Sequence, residues 1–285
     1  MKDWDDLQTV LALGRLGTMK GAAGALGVSE TTIARRLRRL AKDDIATLFV
    51  RDGQRWTPTE LGDRLIRLAE AIEAQILEAD TAFEESTDAL TGTLVISALS
   101  FINSHFLSTA LPGFTAKNPD LQISIDASDE RVSLAFREAD LALRLARPRE
   151  GRLIGRLIAL VPMVAFTYGG PGQRNWVGLP AKLDWTPEMT LGHEVFSRPP
   201  QLRLDSFESI QNAALAVRTG GVAPSCFLRR SGAPMPEILG QPRNRELWLV
   251  YHEDLKRSRK LRSAIEWVTA AFPGPKRCMC GECAL

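Results

Sequence analysis

The chain of 285 residues has few of the residues that cross-link or anchor a protein. It contains four cysteines, and three of them, Cys278, Cys280 and Cys283, lie among the last eight residues. This pattern excludes a disulfide framework and fits a reducing compartment. The first residues lack a signal peptide, and the longest almost purely apolar run, residues 157–166, falls well short of the roughly 20 residues of a membrane helix. We therefore expect a cytoplasmic protein without a membrane partner.

The sequence also lacks the motifs of common catalytic sites. It has no Gly-x-Ser-x-Gly elbow, no phosphate loop ending in Gly-Lys-Ser/Thr and no His-Glu-x-x-His motif. We expect neither an enzyme nor a bound cofactor. Cys278, Cys280 and Cys283 are candidate ligands for a soft metal such as Zn²⁺ or Cu(I), or candidates for a reversible disulfide. The favoured alternative is a terminal segment whose cysteines are incidental.

An excess of charge of one sign is also missing, because 36 basic and 34 acidic side chains leave a net charge of +2. The distribution is nevertheless uneven. Residues 65–88 hold one basic and seven acidic side chains. The densest basic cluster occupies eight positions and consists of Arg35, Arg36, Arg38, Arg39 and Lys42. Such a cluster is either a solvated helix face or a surface for an anionic partner, and its context decides between the two.

The first sixty residues predict a winged helix-turn-helix. Asp3, Thr18 and Ser29 each precede a stretch with helical apolar spacing, and each is a residue type that caps a helix. Gly27 allows the tight corner between the second and third helices. Two short strand-like stretches around residues 52–54 then predict a hairpin, the wing. A helical subdomain with a solvated basic face is the alternative, but turn, period and charge agree on the winged fold.

In a winged helix-turn-helix the third helix fits the DNA major groove. Candidates for contacts with bases or nearby phosphates lie at the start of the second and third helices: Thr18, Ser29, Glu30, Thr31, Thr32 and Arg35. Candidates for phosphate contacts lie further along the third helix and in the wing: Arg36, Arg38, Arg39, Arg51 and Arg55. We expect double-stranded DNA as the partner.

Residues 59–89 predict a long amphipathic helix. Its apolar residues recur at steps of three and four, and acidic residues occupy much of the remaining surface. We expect two copies of the chain to pair along a stripe formed by Leu65, Leu68, Ile72, Ile76 and Phe83. The alternative is that this stripe packs on its own domain. A dimer would present two recognition helices to two half-sites.

Several segments near the N-terminus resemble, in order and spacing, the signature of LysR-type transcriptional regulators. They are residues 7–10, 17–23, 26–29, 38–40, 48–51 and 57–62. The sequence departs from that signature at Ala34, where a small hydroxyl is common, and at Asp44, where glycine is usual. The resemblance implies a homodimer or homotetramer that acts on the transcription machinery.

After residue 90, strand-like and helical patterns alternate, which predicts parallel α/β sheets. We expect a helix at about 130–138 and strands at about 93–98, 121–127, 139–145, 153–167 with a break at Pro162, and 247–251. Residues 140–144, 219–224 and 247–250 resemble the effector-binding half of the same regulators, which is like periplasmic binding proteins.

The fold class that follows is a multidomain α+β protein. Its predicted parts are a winged helix-turn-helix at 1–58, a linker helix at 59–89, an effector-binding domain at 90–272 and a Cys-rich tail at 273–285. The resemblance divides the effector-binding domain into two α/β subdomains, at about 90–161 plus 266–272 and at 162–265.

In such folds a small-molecule effector lies between the subdomains, close to helix N-termini that suit an anion such as a carboxylate. The candidate contacts are Ser97, Ser100, Phe101, Asn103, Ser128, Thr167, Phe196 and Ser206. A helix cap or a core position is an equal alternative for each, and a structural ion pair is favoured for Arg144 over effector binding. Two rival interpretations remain: a small-molecule-binding protein or enzyme with an accessory helical head, and a constitutive architectural DNA-binding protein.

Overall fold

The computed structural model describes residues 3–42, 44–85, 89–127, 139–148, 152–170, 172–274, 277 and 279. The chain divides into two compact units, the first formed mainly by residues up to 88 and the second by most residues from 89 onward. We call the first unit the head. Among the described helices, none is both long and apolar enough to cross a membrane.

The head has the predicted winged helix-turn-helix followed by a long helix. Its helices begin where the sequence predicts them, because Asp3, Thr18 and Ser29 each accept a hydrogen bond from a backbone N–H of the first turn. In chain order the elements are α1 (Trp4–Leu16), α2 (Met19–Ala25), α3 (Glu30–Leu40), a 3₁₀ turn (Ile45–Thr47), β1 (Phe49–Asp52), β2 (Arg55–Pro58) and α4 (Glu60–Glu85).

The core of the head forms where α3 packs against α1, α2 and β1. Ile33 and Leu37 of α3 are fully buried, as is Phe49 of β1. The start of α4 is fixed close to β1, because a Cβ on Gly62 would overlap the Leu48 carbonyl oxygen. Only glycine permits this approach.

The connection from α3 to the wing differs from the family signature without losing its turn. Lys42 adopts the left-handed backbone conformation, with φ of 50°. Asp44 then accepts a hydrogen bond from the Ala46 N–H at 3.0 Å and so caps the 3₁₀ turn. An aspartate in place of the usual glycine therefore serves as a cap.

From residue 89 onward, strands and helices alternate as predicted. The elements are β3 (Gly92–Ala98), α5 (Ser100–Ile102) leading through a π-helical turn (Asn103–Leu107) into α6 (Ser108–Lys117), β4 (Leu121–Ala127), β5 (Leu141–Arg144), β6 (Leu153–Thr167), β7 (Trp176–Gly178), a 3₁₀ turn (Ala181–Leu183), α7 (Pro187–Phe196), β8 (Leu202–Arg203), α8 (Phe207–Ala216), β9 (Gly220–Pro224), α9 (Ser225–Arg230), β10 (Glu237–His252), a 3₁₀ turn (Glu253–Arg257) and α10 (Arg259–Ala270).

The strands described beyond Gly92 form one mixed sheet in the order β4-β3-β5-β10-β6-β9-β7-β8. At one end β3 pairs in parallel with β4 and β5, and at the other β7 pairs in parallel with β8 and β9. The long strands β6 and β10 run antiparallel to each other between these two groups. This arrangement confirms the α/β fold predicted for this part of the chain. The predicted parallel pairing is present at each end of the sheet, whereas the strands between the ends pair antiparallel.

Two details of the strand prediction are wrong. Pro162 does not break β6, because it lies beside a register irregularity in β10 and just before β9 begins to pair at Met163; proline is tolerated at such positions. The strand expected at 247–251 begins ten residues earlier, at Glu237. The first half of β10 lacks a strand-like pattern in the sequence, because it contains charged residues, Gly240 and a proline. The helix expected at about 130–138 lies outside the described residues.

Candidate nucleic-acid interface and effector site

The starts of α2 and α3, up to the second turn of α3, hold six predicted DNA contacts. Thr18 Oγ1 accepts the Gly21 N–H at 3.1 Å, and Ser29 Oγ accepts the Thr32 N–H at 3.2 Å. Ser29 and Thr32 also share a hydroxyl–hydroxyl hydrogen bond of 3.0 Å. On the solvent side of α3 the exposed residues of this set are Ser29, Glu30, Thr31 and Arg35.

Two arginines of α3 are paired with acidic residues from the first turn of α1. Arg36 Nη2 lies 2.6 Å from Asp5 Oδ2. Arg39 donates from Nε to Asp6 Oδ2 at 3.0 Å and from Nη2 to the other oxygen of the same carboxylate. The hydrogen bonds and charge of Asp6 raise the pKa of Arg39 above its ordinary value. These two predicted phosphate contacts therefore have partners within the head.

The other two arginines of α3 are oriented differently. Arg35 and Arg38 are exposed, and within the described part of the chain neither has an ion-pair partner. They line an open depression whose walls also include Arg39 and Lys42. The lining residues that the structure describes are all cations, which suit the phosphate groups of a nucleic acid.

The wing is attached to the corner between α1 and α2. The Trp56 N–H donates to the Gly17 carbonyl at 2.7 Å. Arg51 donates from Nε to the Gly53 carbonyl at 2.8 Å, and its guanidinium lies 5.8 Å from the centre of the Trp56 ring. Arg55 is exposed on β2. Both predicted wing contacts are thus at the surface, with Arg51 held against the hairpin.

The apolar stripe of the long helix α4 is partly buried and partly exposed. Leu65 and Ile72 pack with the fully buried Ala69 against α1 of the same head. A second set is exposed and consists of Leu61, Leu68 and Ile76. The predicted dimerisation stripe therefore has two parts. Leu65 and Ile72 pack on their own domain, as the alternative interpretation predicts. Leu68 and Ile76 are exposed and can contact a second copy of the chain. The side chain of Phe83 lies outside the described residues.

In the second unit, the carboxyl ends of β3 and β5 bring two predicted polar groups together. Ser97 is fully buried, and its Oγ accepts a hydrogen bond of 2.7 Å from Arg144 Nη2. Arg144 also donates to the Leu143 carbonyl at 3.0 Å. The two strands are parallel neighbours, which explains why side chains 47 residues apart meet here.

The first residues of α5 and α8 also meet. The rings of Phe101 and Phe207 pack edge to face, with centroids 5.7 Å apart. Ser206 caps α8 by accepting the Ser209 N–H at 3.2 Å. Phe207 was not among the predicted contacts, although its place directly after Ser206 is a usable signal. Two other predicted contacts, Ser100 and Asn103, lie within two residues of Phe101 in the sequence, and both are half-buried.

Two predicted effector contacts lie in the core instead. Thr167 is buried at the end of β6, and its Oγ1 accepts the Gly169 N–H at 3.0 Å. Phe196 is almost completely buried and stacks on Trp176 at a centroid distance of 5.5 Å. Both therefore have the core role that the sequence left open as an alternative. Ser128 lies outside the described residues.

The cysteines of the tail, Cys278, Cys280 and Cys283, also lie outside the described residues. Between the first two, Met279 is buried and its N–H donates to the Leu160 carbonyl at 2.8 Å. Among the residues that the structure describes, no three His, Cys, Asp or Glu side chains are grouped to hold a metal ion.

No local sequence signal marks Arg245, which connects three elements. Its Nη1 lies 2.8 and 3.0 Å from the two carboxylate oxygens of Glu188, and its Nη2 donates to the Leu145 carbonyl at 2.6 Å. Glu188 is in the first turn of α7, and Leu145 directly follows β5. Because the partners are 57 and 100 residues away, only the fold reveals this contact.

Two family models match the chain. The model described as bacterial regulatory helix-turn-helix protein, lysR family, matches residues 4–63, and the LysR substrate binding domain matches residues 87–273. The chain belongs to the LysR family of transcriptional regulators. The resemblance carried by the sequence segments is therefore confirmed, as is a DNA-binding head joined to an effector-binding domain.

Relatives and solved structures agree with the LysR family assignment. The Mau operon transcriptional activator of Paracoccus denitrificans is 31% identical over 276 residues, which cover 95% of this chain and 96% of that protein. CrgA, a LysR-type transcriptional regulator from Neisseria meningitidis, has a TM-score of 0.56 at 18% identity, covering 95% of this chain and 99% of CrgA. ArgP from Mycobacterium tuberculosis has a TM-score of 0.62 at 20% identity, covering 98% and 100%. The two structures support the fold.

Proposed function

We propose that this LysR-family regulator binds operator DNA through α3 and the wing, and that a small anionic effector controls this binding. The observation that carries the DNA-binding part is the exposure of Arg35 and Arg38 opposite the buried Ile33 and Leu37. A helix anchored on one face and cationic on the other fits the major groove.

Each exposed group has a proposed role on DNA. Arg35 lies in the second turn of α3 and reaches base edges together with Thr31. Arg38 and the wing residue Arg55 contact phosphates and set the register of the head. Arg36 and Arg39 are paired with Asp5 and Asp6 respectively, so they contribute less to phosphate contacts than Arg38 does.

The exposed stripe of α4 supports a homodimer. Leu61, Leu68 and Ile76 are each more than one-third exposed along a helix of 26 residues, about 39 Å long. Packing these side chains against a second copy removes them from water, which is favourable. Two heads joined in this way contact two half-sites, and a homotetramer is a pair of such dimers.

The effector-binding part of the proposal is supported by the groups at the carboxyl ends of β3 and β5. Arg144 and Ser97 offer a guanidinium and a hydroxyl, which are suitable donors to a carboxylate. Phe101 and Phe207, at the starts of α5 and α8, are buried against each other, and an apolar part of the effector would have to pack beside them. We further propose that the regulator acts in the cytoplasm with the transcription machinery and catalyses no reaction.

The test is DNA binding by arginine variants, using an operator selected from a random duplex library and a scrambled control. Arg35→Ala should lose about 1–3 kcal/mol of discrimination between the two duplexes. Arg38→Ala should weaken both equally and lower the slope of log affinity against log salt by about 0.9. Arg174→Ala, which removes an exposed charge elsewhere, is the control. The proposal is wrong if both α3 variants match this control, or if the selection enriches no sequence.

A further inference from the structure

The first turn of α1 places three carboxylates beside the recognition helix. Asp5 pairs with Arg36, Asp6 pairs with Arg39, and Asp3 Oδ2 lies 3.6 Å from Arg39 Nη2. We call Asp3, Asp5 and Asp6 the acidic turn. Helix N-termini favour acidic residues through the helix dipole, but that effect does not require an arginine partner on another helix.

The exposure of the two partners in the Asp6 pair differs sharply. The Asp6 side chain is 4% exposed, whereas the Arg39 side chain is 58% exposed. Arg39 also lines the cationic depression shared with Arg35, Arg38 and Lys42. The arginine is therefore accessible to a DNA phosphate while a carboxylate of the same chain already occupies its hydrogen-bonding edge.

A carboxylate and a phosphate bind guanidinium in the same way, through two oxygens that accept parallel N–H donors. Asp6 makes this two-oxygen contact with Arg39 through Nε and Nη2. A phosphate that approached Arg39 would face a nearby negative charge and a donor edge already in use. Arg38, one residue earlier, has no such partner among the described residues.

We propose that the acidic turn competes with DNA phosphates for Arg39 and Arg36, and so lowers the affinity of the head for DNA of any sequence. The proposal rests on the proposed DNA-binding function and adds a device that restrains it. Phosphate contacts raise operator and non-operator affinity alike. Withholding two arginines therefore leaves a larger share of the binding to groups that read bases.

The test measures affinity for a scrambled duplex between 50 and 200 mM salt in the full chain. Asp6→Asn keeps the shape of the side chain and removes its charge. It should increase the scrambled-duplex affinity and steepen the salt slope by about 0.9, which makes the affinity ratio between the two salts about 3.5-fold larger. Asp120→Asn, an exposed acid beyond the head, is the control for net charge and should change neither quantity.

Two further variants complete the test. Asp6→Asn combined with Arg39→Gln should return the slope to the wild-type value, because the released cation is then absent. Asp5→Asn changes the more exposed acid, which is paired with Arg36, and repeats the test should Asp6→Asn fail to fold. Steepening by Asp5→Asn supports the proposal in that case, and an unchanged slope overturns it.

The outcomes separate the two proposals. An acidic turn that only positions α3 predicts weaker binding of Asp6→Asn to both duplexes with an unchanged slope, and that result overturns the competition. In that case Arg38→Ala still lowers the slope, so DNA binding by α3 stands. A wild-type protein without salt-dependent DNA binding instead overturns the proposed function itself.

Discussion

The head and the effector-binding domain each pair an arginine with a buried carboxylate, but the two arginines differ in exposure. The Arg39 side chain is 58% exposed, whereas that of Arg245 is 11% exposed; their partners, Asp6 and Glu188, are 4% and 2% exposed. In the head the pair lies open to a second anion. In the effector-binding domain it is enclosed between β10, α7 and the end of β5.

The difference in exposure between Arg39 and Arg245 indicates what each ion pair contributes to the protein. A pair with one open partner keeps much of its hydration, so it contributes little stability and remains able to exchange partners. An enclosed pair loses hydration on both sides, so removal of either partner leaves an uncompensated charge in the interior. The head therefore holds charge that is available for binding, and the effector-binding domain holds charge that fixes geometry.

Breaking the enclosed pair of Glu188 and Arg245 should change the stability of the protein most. Glu188→Gln removes one charge and leaves Arg245 buried, so the free energy of unfolding should fall by about 3–5 kcal/mol. The measurement is urea denaturation followed by tryptophan fluorescence. Glu194→Gln is the matched control, because it lies on the same helix and also pairs with an arginine of β10, Arg243. That exposed pair should contribute less than about 1 kcal/mol, and equal losses in the two variants would contradict the comparison.

A smaller change in stability is expected when the close packing of the head is disturbed, where no buried charge is involved. Gly62→Ala places a methyl group against the Leu48 carbonyl, so the head should lose about 1–3 kcal/mol of stability. Gly24→Ala is the matched control, because a Cβ there meets no heavy atom within 4 Å. In that helix the change should stabilise by about 0.5–1 kcal/mol. Scanning calorimetry should show opposite shifts of the head transition; shifts of the same sign would count against this packing.

The smallest effect concerns an exposed pair in the effector-binding domain. Arg203 donates to both oxygens of Asp184, at 2.8 and 3.0 Å, and lowers the pKa of that carboxyl below its ordinary value of 3.8, with a further contribution from His193. A lowered pKa in the folded state stabilises the protein above that value, and the contribution is lost as pH falls through the folded-state pKa. Because Asp184 is 39% exposed, the contribution should be below about 1 kcal/mol.

The check is the difference in melting temperature between wild type and Arg203→Gln. It should be largest at pH 7 and shrink as pH falls through the folded-state pKa of Asp184, which leaves the part due to the hydrogen bond from Arg203 to the Leu179 carbonyl. Arg198→Gln, which removes a hydrogen bond to the neutral Asn175 side chain, is the control and should show no such pH dependence. A difference that grows in acid would contradict the assigned direction.

The parts of the fold that sequence predicts well depend on neighbours in the chain. Thr18 and Ser29 each cap a helix by accepting a hydrogen bond from the N–H three residues later. Because these contacts are so short in sequence, local spacing is enough to predict the helix-turn-helix. The first half of β10 is not visible, because its pairing with β6 is long-range and its residues lack a strand-like pattern.

The candidate sites likewise combine features set by neighbours in the chain with contacts between residues far apart in the sequence. The exposed face of α3 follows from the helical period, but the partners of Arg36 and Arg39 lie 31 and 33 residues away on α1. The sequence therefore contains no local signal for these two ion pairs. Phe196 illustrates the same limit in the effector-binding domain, since only the fold shows that its ring stacks on Trp176.

The two long strands have a mechanical consequence. Because β6 and β10 join both parallel groups, a change in angle between the ends of the sheet is a torsion of hydrogen-bonded backbone and not a bend in a loop. The register of β10 is irregular at two places, between Leu239 and Arg243 and between Leu247 and Trp248. Such irregularities are where a strand twists most readily. Arg245 lies between them, and its contacts with Glu188 and Leu145 tie this stretch of β10 to α7 and to the end of β5.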